Sequence, residues 1–269
     1  MTSATAIRAG DSETRMVQGD AIRLDDVNFL FTTKRASVEA VRDFSLRVEP
    51  GQFVCLVGPS GCGKSTVLKS VGGLIKPTSG TVTVSGTRVV GPRTDIGYVF
   101  QKAALLDWRG VKDNILLQAE MRGMARADAS RKADALIEMV GLKGFEKSLP
   151  HELSGGMQQR VSLCRALLHE PPVLLMDEPF GALDALSRER MNVELHRVWR
   201  ETGTSVLLVT HSISEAVYLG ERVVVMSSRP GTVIADIDVP LPRDRDYIAT
   251  MGAPEFQATT ARVRSLLTE

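Results

Sequence analysis

The chain has 269 residues, 33 basic and 32 acidic side chains, a formal net charge of +1 and three cysteines. That length fits one large domain, or a core with an inserted subdomain, and it buries a core without disulfide or metal staples. A hydrophobic fraction of 43% beside 24% charged residues excludes a disordered chain and a membrane-embedded one, and the balanced charge gives no electrostatic case for nucleic acid. No apolar run approaches the ~18 residues of a membrane span. Residues 1–20 lack the apolar stretch of a secretory leader and read as a disordered tail. Cys55, Cys62 and Cys164 are odd in number and not closely spaced, which points to a reduced, cytosolic compartment.

Strand-like and helix-like stretches alternate along most of the chain, the pattern of an α/β fold with a largely parallel sheet. Opening strands are predicted over 22–29 and 40–48, then a turn at Pro50-Gly51 and a compact apolar strand over 53–57. That strand runs into a glycine-rich loop, and a helix follows from Lys64 to about 75, stopped by Lys76-Pro77-Thr78-Ser79-Gly80. Segments 81–84 and 87–90 flank Ser85-Gly86 as a hairpin. Between about 102 and 165 the character turns helical, with one helix over 128–140 bounded by Gly141, and this reads as a helical insertion. The core resumes with a strand over 173–176, a helix from Asp184 to about 201, and strands over 205–209 and 222–226. Met191, Leu195 and Val198 make that helix's core-facing stripe. From about 240 the pattern weakens to a tail or a small C-terminal helix.

Gly58-Pro59-Ser60-Gly61-Cys62-Gly63-Lys64-Ser65 satisfies G-x-x-x-x-G-K-[ST]. Glycines let the backbone curl so that successive N–H groups face phosphate oxygens, and the helix N-terminus, which continues through Thr66, adds its partial positive charge. Lys64 then reaches the β- and γ-phosphates and the Ser65 hydroxyl can ligate Mg²⁺. The apolar run Val173-Leu174-Leu175-Met176 ends in Asp177-Glu178. Asp177 is placed to hold Mg²⁺, and Glu178 to polarise the water that attacks the γ-phosphate. The phosphates of a nucleotide, with Mg²⁺, are therefore the expected ligand.

Leu153-Ser154-Gly155-Gly156-Met157-Gln158-Gln159-Arg160 resembles the LSGGQ-type signature of ATP-binding cassette (ABC) ATPases, and further elements occur in that family's order. Gln101, after Ile96-Gly97-Tyr98-Val99-Phe100, is similar to the Q-loop glutamine, Ala182-Leu183-Asp184 to the D-loop, and His211 to the switch histidine. The resemblance covers roughly residues 20–235. It implies an α/β P-loop NTPase (RecA-like) core with an antiparallel β subdomain and an inserted α-helical subdomain. The core would occupy 21–101 and 165–240, the helical subdomain 102–164, and a tail 241–269. Two copies would pair head to tail, so that Ser154, Gly155 and Gly156 of one contact the γ-phosphate held by Lys64 of the other. Glu178 would be the general base, His211 would contact the γ-phosphate and position the water, and Gln101 would sense Mg²⁺. Asp184 would couple the two sites across the interface, and it is also a good N-cap for the helix that follows. The family's adenine-stacking aromatic falls best on Phe31, with Phe29 the alternative. Cys62 is given no chemistry of its own.

Within the family, Asp177-Glu178-Pro179-Phe180-Gly181-Ala182-Leu183-Asp184 and Leu105-Leu106-Asp107-Trp108-Arg109 resemble the nitrate/sulfonate/taurine importer group. His211-Ser212-Ile213-Ser214-Glu215-Ala216 and Ser227-Ser228-Arg229-Pro230-Gly231 add to the likeness. Asp107 and Lys102 depart from that group's usual residues. Trp108 is either an anchor for a permease helix or ordinary packing. The resemblance implies a peripheral ATPase subunit on the cytoplasmic face of the inner membrane. It would be joined to integral membrane permease subunits, served indirectly by an extracytoplasmic substrate-binding protein, and have no nucleic-acid partner. The alternatives are an exporter subunit, or a soluble cassette acting on nucleic acid or ribosomes. A chromosome-maintenance ATPase would need a long coiled coil between phosphate loop and signature, and no sustained heptads occur there.

Overall fold

The computed structural model describes residues 19–32, 36–181 and 183–268. Of the tail expected over 1–20 all but Gly19 and Asp20 lies outside these residues, and so does Ala182 of the expected D-loop.

Two sheets carry the fold. In the first, β1 (Ile22–Thr32) pairs antiparallel with β2 (Ser37–Val48) on one edge and β4 (Ser79–Val84) on the other, and a short β5 (Thr87–Arg88) extends β4. The second contains β3 (Phe53–Val57), β6 (Gly97–Val99), β7 (Val173–Asp177), β8 (Ser205–Val209), β9 (Arg222–Met226) and β10 (Val233–Asp238). Its order is β10-β9-β3-β8-β7-β6, parallel throughout except for the antiparallel edge strand β10.

The uninterrupted apolar runs of the parallel strands follow from burial on both faces. Along β3, Phe53, Cys55 and Val57 belong to the core shared with the helices, whereas Val54 and Leu56 belong to the core shared with the antiparallel sheet. The helices are α1 (Lys64–Val71), α2 (Val111–Arg122), α3 (Arg126–Met139), α4 (Gly155–Leu167), α5 (Ala185–Thr202), α6 (Ile213–Leu219), α7 (Tyr247–Gly252) and α8 (Pro254–Thr268). Helices α2, α3 and α4 fall between β6 and β7 in sequence and pack on one another through Ile115, Ala133, Ile137 and Val161. The parallel strands all end at the same edge, the edge at which open α/β sheets bind ligands.

Several boundaries differ from the sequence-based expectation: β1 runs on to Thr32 rather than ending at 29, and β2 begins at Ser37 rather than 40. Helix α1 stops at Val71 rather than near 75, because the pair Gly72-Gly73 intervenes. The second hairpin strand is only two residues long. The region beyond 240 is not a weak tail: α8 buries Phe256, Thr259 and Val263 in the main core. Arg245 fastens the same region to the end of α6 by donating to the carbonyls of Tyr218 and Gly220. A guanidinium suits the unpaired carbonyls of a helix C-terminus.

Beside Arg245 lies the buried His196, whose ring packs against Trp199 and Tyr218 at centroid distances of 5.5 and 5.6 Å. Burial, with the positive charges of Arg245 and Arg200, lowers its pKa from 6.5 to about 4, and burial with Arg122 does the same to His169. Between those pH values the unfolded chain binds protons that the native chain does not. Stability is therefore present above pH 6.5 and is lost as pH falls toward 4. His196→Gln is expected to remove about half of that slope, His169 supplying the rest, when unfolding free energy is measured by denaturant titration across the window.

Candidate active site

Strand β3 ends at Val57 and the chain turns through residues 58–63 into α1. Gly63 has φ +103, open to glycine at no steric cost, and a Cβ there would stand 2.5 Å from Val41 Cγ2. On the far side Gly231 presses against the same loop, since a Cβ on it would stand 2.1 Å from the Cys62 carbonyl oxygen. Gly231 also bonds to β2, its N–H donating to Ala40 O and its carbonyl accepting from Arg42 N, both at 3.0 Å.

Above the loop lies a cavity of about 480 Å³ that brings together Phe31, Ser60, Gly61, Gly63, Lys64, Ser65, Thr66, Gln101 and Glu178. Gly58, Pro59 and Cys62, though in the same loop, are not among the residues that line the cavity. Lys64 Nζ donates to the Gly58 and Pro59 carbonyls, both at 2.8 Å, and the Cys62 thiol is buried 3.7 Å from Nζ. Of the two candidate aromatics, Phe31 is 46% exposed and lines the cavity, whereas Phe29 is 2% exposed and belongs to the core.

Ser65 Oγ donates to Asp177 Oδ1 at 2.8 Å. Burial raises the Asp177 pKa, with the neighbouring Glu178 adding to the rise, while the Ser65 hydrogen bond and Lys69 and Lys64 oppose it. A hydroxyl and a buried carboxylate converging at one point form a hard-oxygen pair that fits Mg²⁺, which keeps several waters and needs few protein ligands. Glu178 sits one residue beyond β7 in a left-handed conformation, φ +45, and its N–H donates to Val209 O at 2.8 Å. This strained backbone turns the carboxylate toward the cavity. Gln101 Nε2 donates to Glu178 Oε2 at 3.1 Å, and His211 Nδ1 stands 3.4 Å from the same oxygen.

The remaining predicted residues lie outside this cavity. Ser154 is the N-cap of α4, its Oγ accepting from Met157 N at 3.3 Å. Gly155 lines a separate groove of about 770 Å³ with Gln101, Lys102, Asp107, His151 and Gln158. A Cβ on Gly156 would meet Leu183. Asp184 caps α5, its Oδ1 accepting from Ser187 N at 2.9 Å, and the bonds from Ser187 lower its pKa. Trp108 is 75% exposed, so packing within the chain does not explain it.

Several residues have a part in this arrangement that no sequence motif assigns to them. Gln159 donates to Phe100 O at 2.8 Å, and Arg165 donates to Ala103 O and Ala104 O, each at 2.8 Å, so α4 holds the Gln101 segment by its backbone. Arg188 donates to Phe180 O (3.3 Å) and Leu183 O (3.0 Å), fixing the turn after Glu178. Arg229 also lines the 480 Å³ cavity. None of these four has a sequence spacing that ties it to its partner.

Residues 41–181 match the ABC transporter family. The chain belongs to this family. It is an ABC-type ATPase that binds and hydrolyses ATP, with the P-loop NTPase fold of the cassettes. The cassette is 44% identical over 251 residues to the nitrate import ATP-binding protein NrtD of Synechocystis sp., which covers 91% of this chain and 94% of that protein. It is 46% identical over 234 residues to the taurine import ATP-binding protein TauB of Jannaschia sp. (86% and 87% covered). It is 41% identical over 245 residues to the aliphatic sulfonates import ATP-binding protein SsuB of Bacillus licheniformis (90% and 92%). Among solved structures, the dimeric post-hydrolysis state of the ATP-binding cassette MJ0796 bound to ADP and Pi matches with a TM-score of 0.75 and 31% identity. That match covers 82% of this chain and all of that one.

The packing of Gly231 on the phosphate loop is directly testable. Gly231→Ala is expected to destabilise the cassette by about 1–3 kcal/mol through overpacking and to weaken ATP binding. Gly252→Ala, where nothing stands within 4 Å, should leave both unchanged. Thermal melts and ATP titration of the two variants provide the comparison.

Proposed function

We propose that this cassette is the ATP-binding and hydrolysing subunit of a bacterial ABC importer, powering uptake of a small nutrient through a separate permease. The observation that carries the ATPase mechanism is the convergence of Gln101 and His211 on one oxygen of Glu178, at the rim of a cavity floored by the phosphate loop. The importer assignment rests on relatives of matching length whose names describe import of nitrate, taurine and aliphatic sulfonates. These favour an importer over the exporter and nucleic-acid alternatives. The transported compound is accordingly a nitrate-, sulfonate- or taurine-like anion or a related organic compound, recognised by other subunits.

In this reading the loop N–H groups and Lys64 hold the ATP phosphates, Thr66 contributes at the first turn of α1, and Phe31 stacks on adenine. Ser65 and Asp177, assisted by Gln101, would hold Mg²⁺, which neutralises phosphate charge. Glu178 accepts the proton of the attacking water as its oxygen bonds to the γ-phosphorus and the bond to the β-phosphate oxygen breaks. Gln101 and His211 keep the carboxylate oriented, and His211 also contacts the γ-phosphate. Ser154, Gly155 and Gly156 lie away from the cavity within their own chain, which supports their acting on a second copy's ATP in a head-to-tail dimer. Asp184, besides capping α5, would couple the two sites across the interface. In this reading the groove beside Gln101 and the exposed Trp108 form the face offered to the membrane permease, and the chain works at the cytoplasmic face of the inner membrane. The extracytoplasmic substrate-binding protein meets the permease, not this chain. Among the described residues no helix is long and apolar enough to cross a membrane.

Glu178→Gln is expected to bind Mg-ATP as the wild type does and to lose hydrolysis by about 10²–10⁴-fold, the range for loss of a general base. Phosphate release and equilibrium nucleotide binding measure the two effects. Ser154→Ala should spare ATP binding by the monomer yet depress hydrolysis, and weakened monomer binding would count against action in trans. The biological assignment is tested by mild affinity purification of the tagged chain from solubilised native membranes, followed by mass spectrometry. Co-elution of a multi-span permease is expected. Recovery only with soluble ribosomal or DNA-bound proteins would overturn the importer reading.

A further inference from the structure

Arg229 follows β9 in a turn that is closed on itself and pressed against the phosphate loop. Ser227 N donates to Thr232 O at 3.0 Å, Thr232 N donates to Ser227 Oγ at 2.9 Å, and Gly231 is bonded on both sides to β2. The tight packing of Gly231 against the Cys62 carbonyl bars closer approach, and the bonds to β2 hold the turn against the loop. From this anchored position the guanidinium reaches over the loop: Nε donates to Gly61 O at 3.1 Å and Nη2 donates to the same oxygen at 2.8 Å. Among the described residues no carboxylate lies within ion-pair distance of it.

A guanidinium has five N–H donors in a rigid fork. Gly61 O takes two of them, and the side chain is exposed and lines the same cavity as Ser60, Lys64 and Ser65. A charge without a carboxylate partner, fixed by one edge to a loop that cradles phosphates, matches an anion in both charge and geometry. We infer that Arg229 is a second cation of the nucleotide site, one edge of its guanidinium fastening the phosphate loop at Gly61 while the other donates to the phosphates of the bound nucleotide. This rests on the proposed reading of the cavity as the ATP site. It assigns a nucleotide contact to the turn after β9, which lies outside the phosphate loop, the carboxylate pair and the signature.

The test separates a phosphate contact from a purely structural fastening. Wild type, Arg229→Ala, Arg229→Gln, Arg229→Lys and Lys64→Ala are titrated with ATP, ADP and adenosine, after thermal melts establish that each is folded. Glutamine retains an N–H donor for Gly61 O but has no charge, whereas lysine retains the charge without the fork. The expected result is an about tenfold loss of ATP and ADP affinity in the alanine and glutamine variants, the size of one lost charge-assisted hydrogen bond. The lysine variant should lose less, adenosine affinity should not change, and ATP binding by the glutamine variant should depend less on salt than that of the wild type. Wild-type ATP affinity in Arg229→Gln would overturn the inference, reducing Arg229 to a fastening for Gly61. Equal losses for ATP and adenosine would overturn it as well. If Lys64→Ala binds ATP as the wild type does, it is the reading of the cavity that fails, whatever Arg229 does.

Discussion

The close approach of three backbones around the phosphate loop is the constraint on which the rest of the structure depends. The loop between β3 and α1 is wedged between β2 at Val41 and the turn at Gly231, with no room for a Cβ on Gly63 or Gly231. Van der Waals repulsion is steep, so such contacts fix position far more tightly than attraction does. One member belongs to the antiparallel sheet, one to the parallel sheet, and the loop joins a strand of the latter to α1. The two sheets are thereby registered against each other at the point where Lys64 and Ser65 must meet Asp177 and Glu178.

Around that fixed point, four arginines serve as fasteners for carbonyls rather than as partners for carboxylates. Arg165 holds the carbonyls of Ala103 and Ala104, Arg188 those of Phe180 and Leu183, Arg229 that of Gly61, and Arg245 those at the end of α6. The planar fork can satisfy carbonyls that no secondary structure claims, while the long stem packs against apolar surface. Burial lowers the pKa of both Arg165 and Arg245, a cost that these bonds to carbonyls offset. In consequence the segments that carry Gln101, Glu178 and the phosphate loop are each tied to a different helix or strand. Displacement of α4 relative to the parallel sheet would be carried to Gln101 through Phe100, Ala103 and Ala104, which gives the groove beside Gln101 a mechanical route to Glu178.

Much of the candidate site was legible in the amino-acid sequence because its chemistry is local. A phosphate loop is eight consecutive residues whose backbone does the binding, and Asp177-Glu178 closes a run of four apolar residues that burial on both faces requires. Ser154 and Asp184 sit where capping chemistry would put them, and both are N-caps in the structure. The length of α1 was less legible, since a glycine pair ends a helix more abruptly than apolar periodicity suggests. The C-terminal region stayed open between a tail and a small helix because its core-facing residues in α8, Phe256, Thr259 and Val263, include only two apolar side chains in that stripe.

The sequence by itself determined the family, the nucleotide chemistry and the parallel strands β3, β7, β8 and β9, all of which are written in short runs of adjacent residues. The short strand β6, the edge strand β10 and helix α6 were not predicted. Tertiary structure alone decided which residues share a surface. Phe29 and Phe31 are two apart on one strand and point the same way, yet one is core and the other borders the cavity, because the covering layer ends between them. Arg229 and Gly61 are 168 positions apart, and Gln101 and Glu178 are 77. No periodicity or spacing encodes such pairs. They exist because parallel strands distant in sequence must end at one edge of the sheet, and only the packed chain sets which side chains that edge brings together.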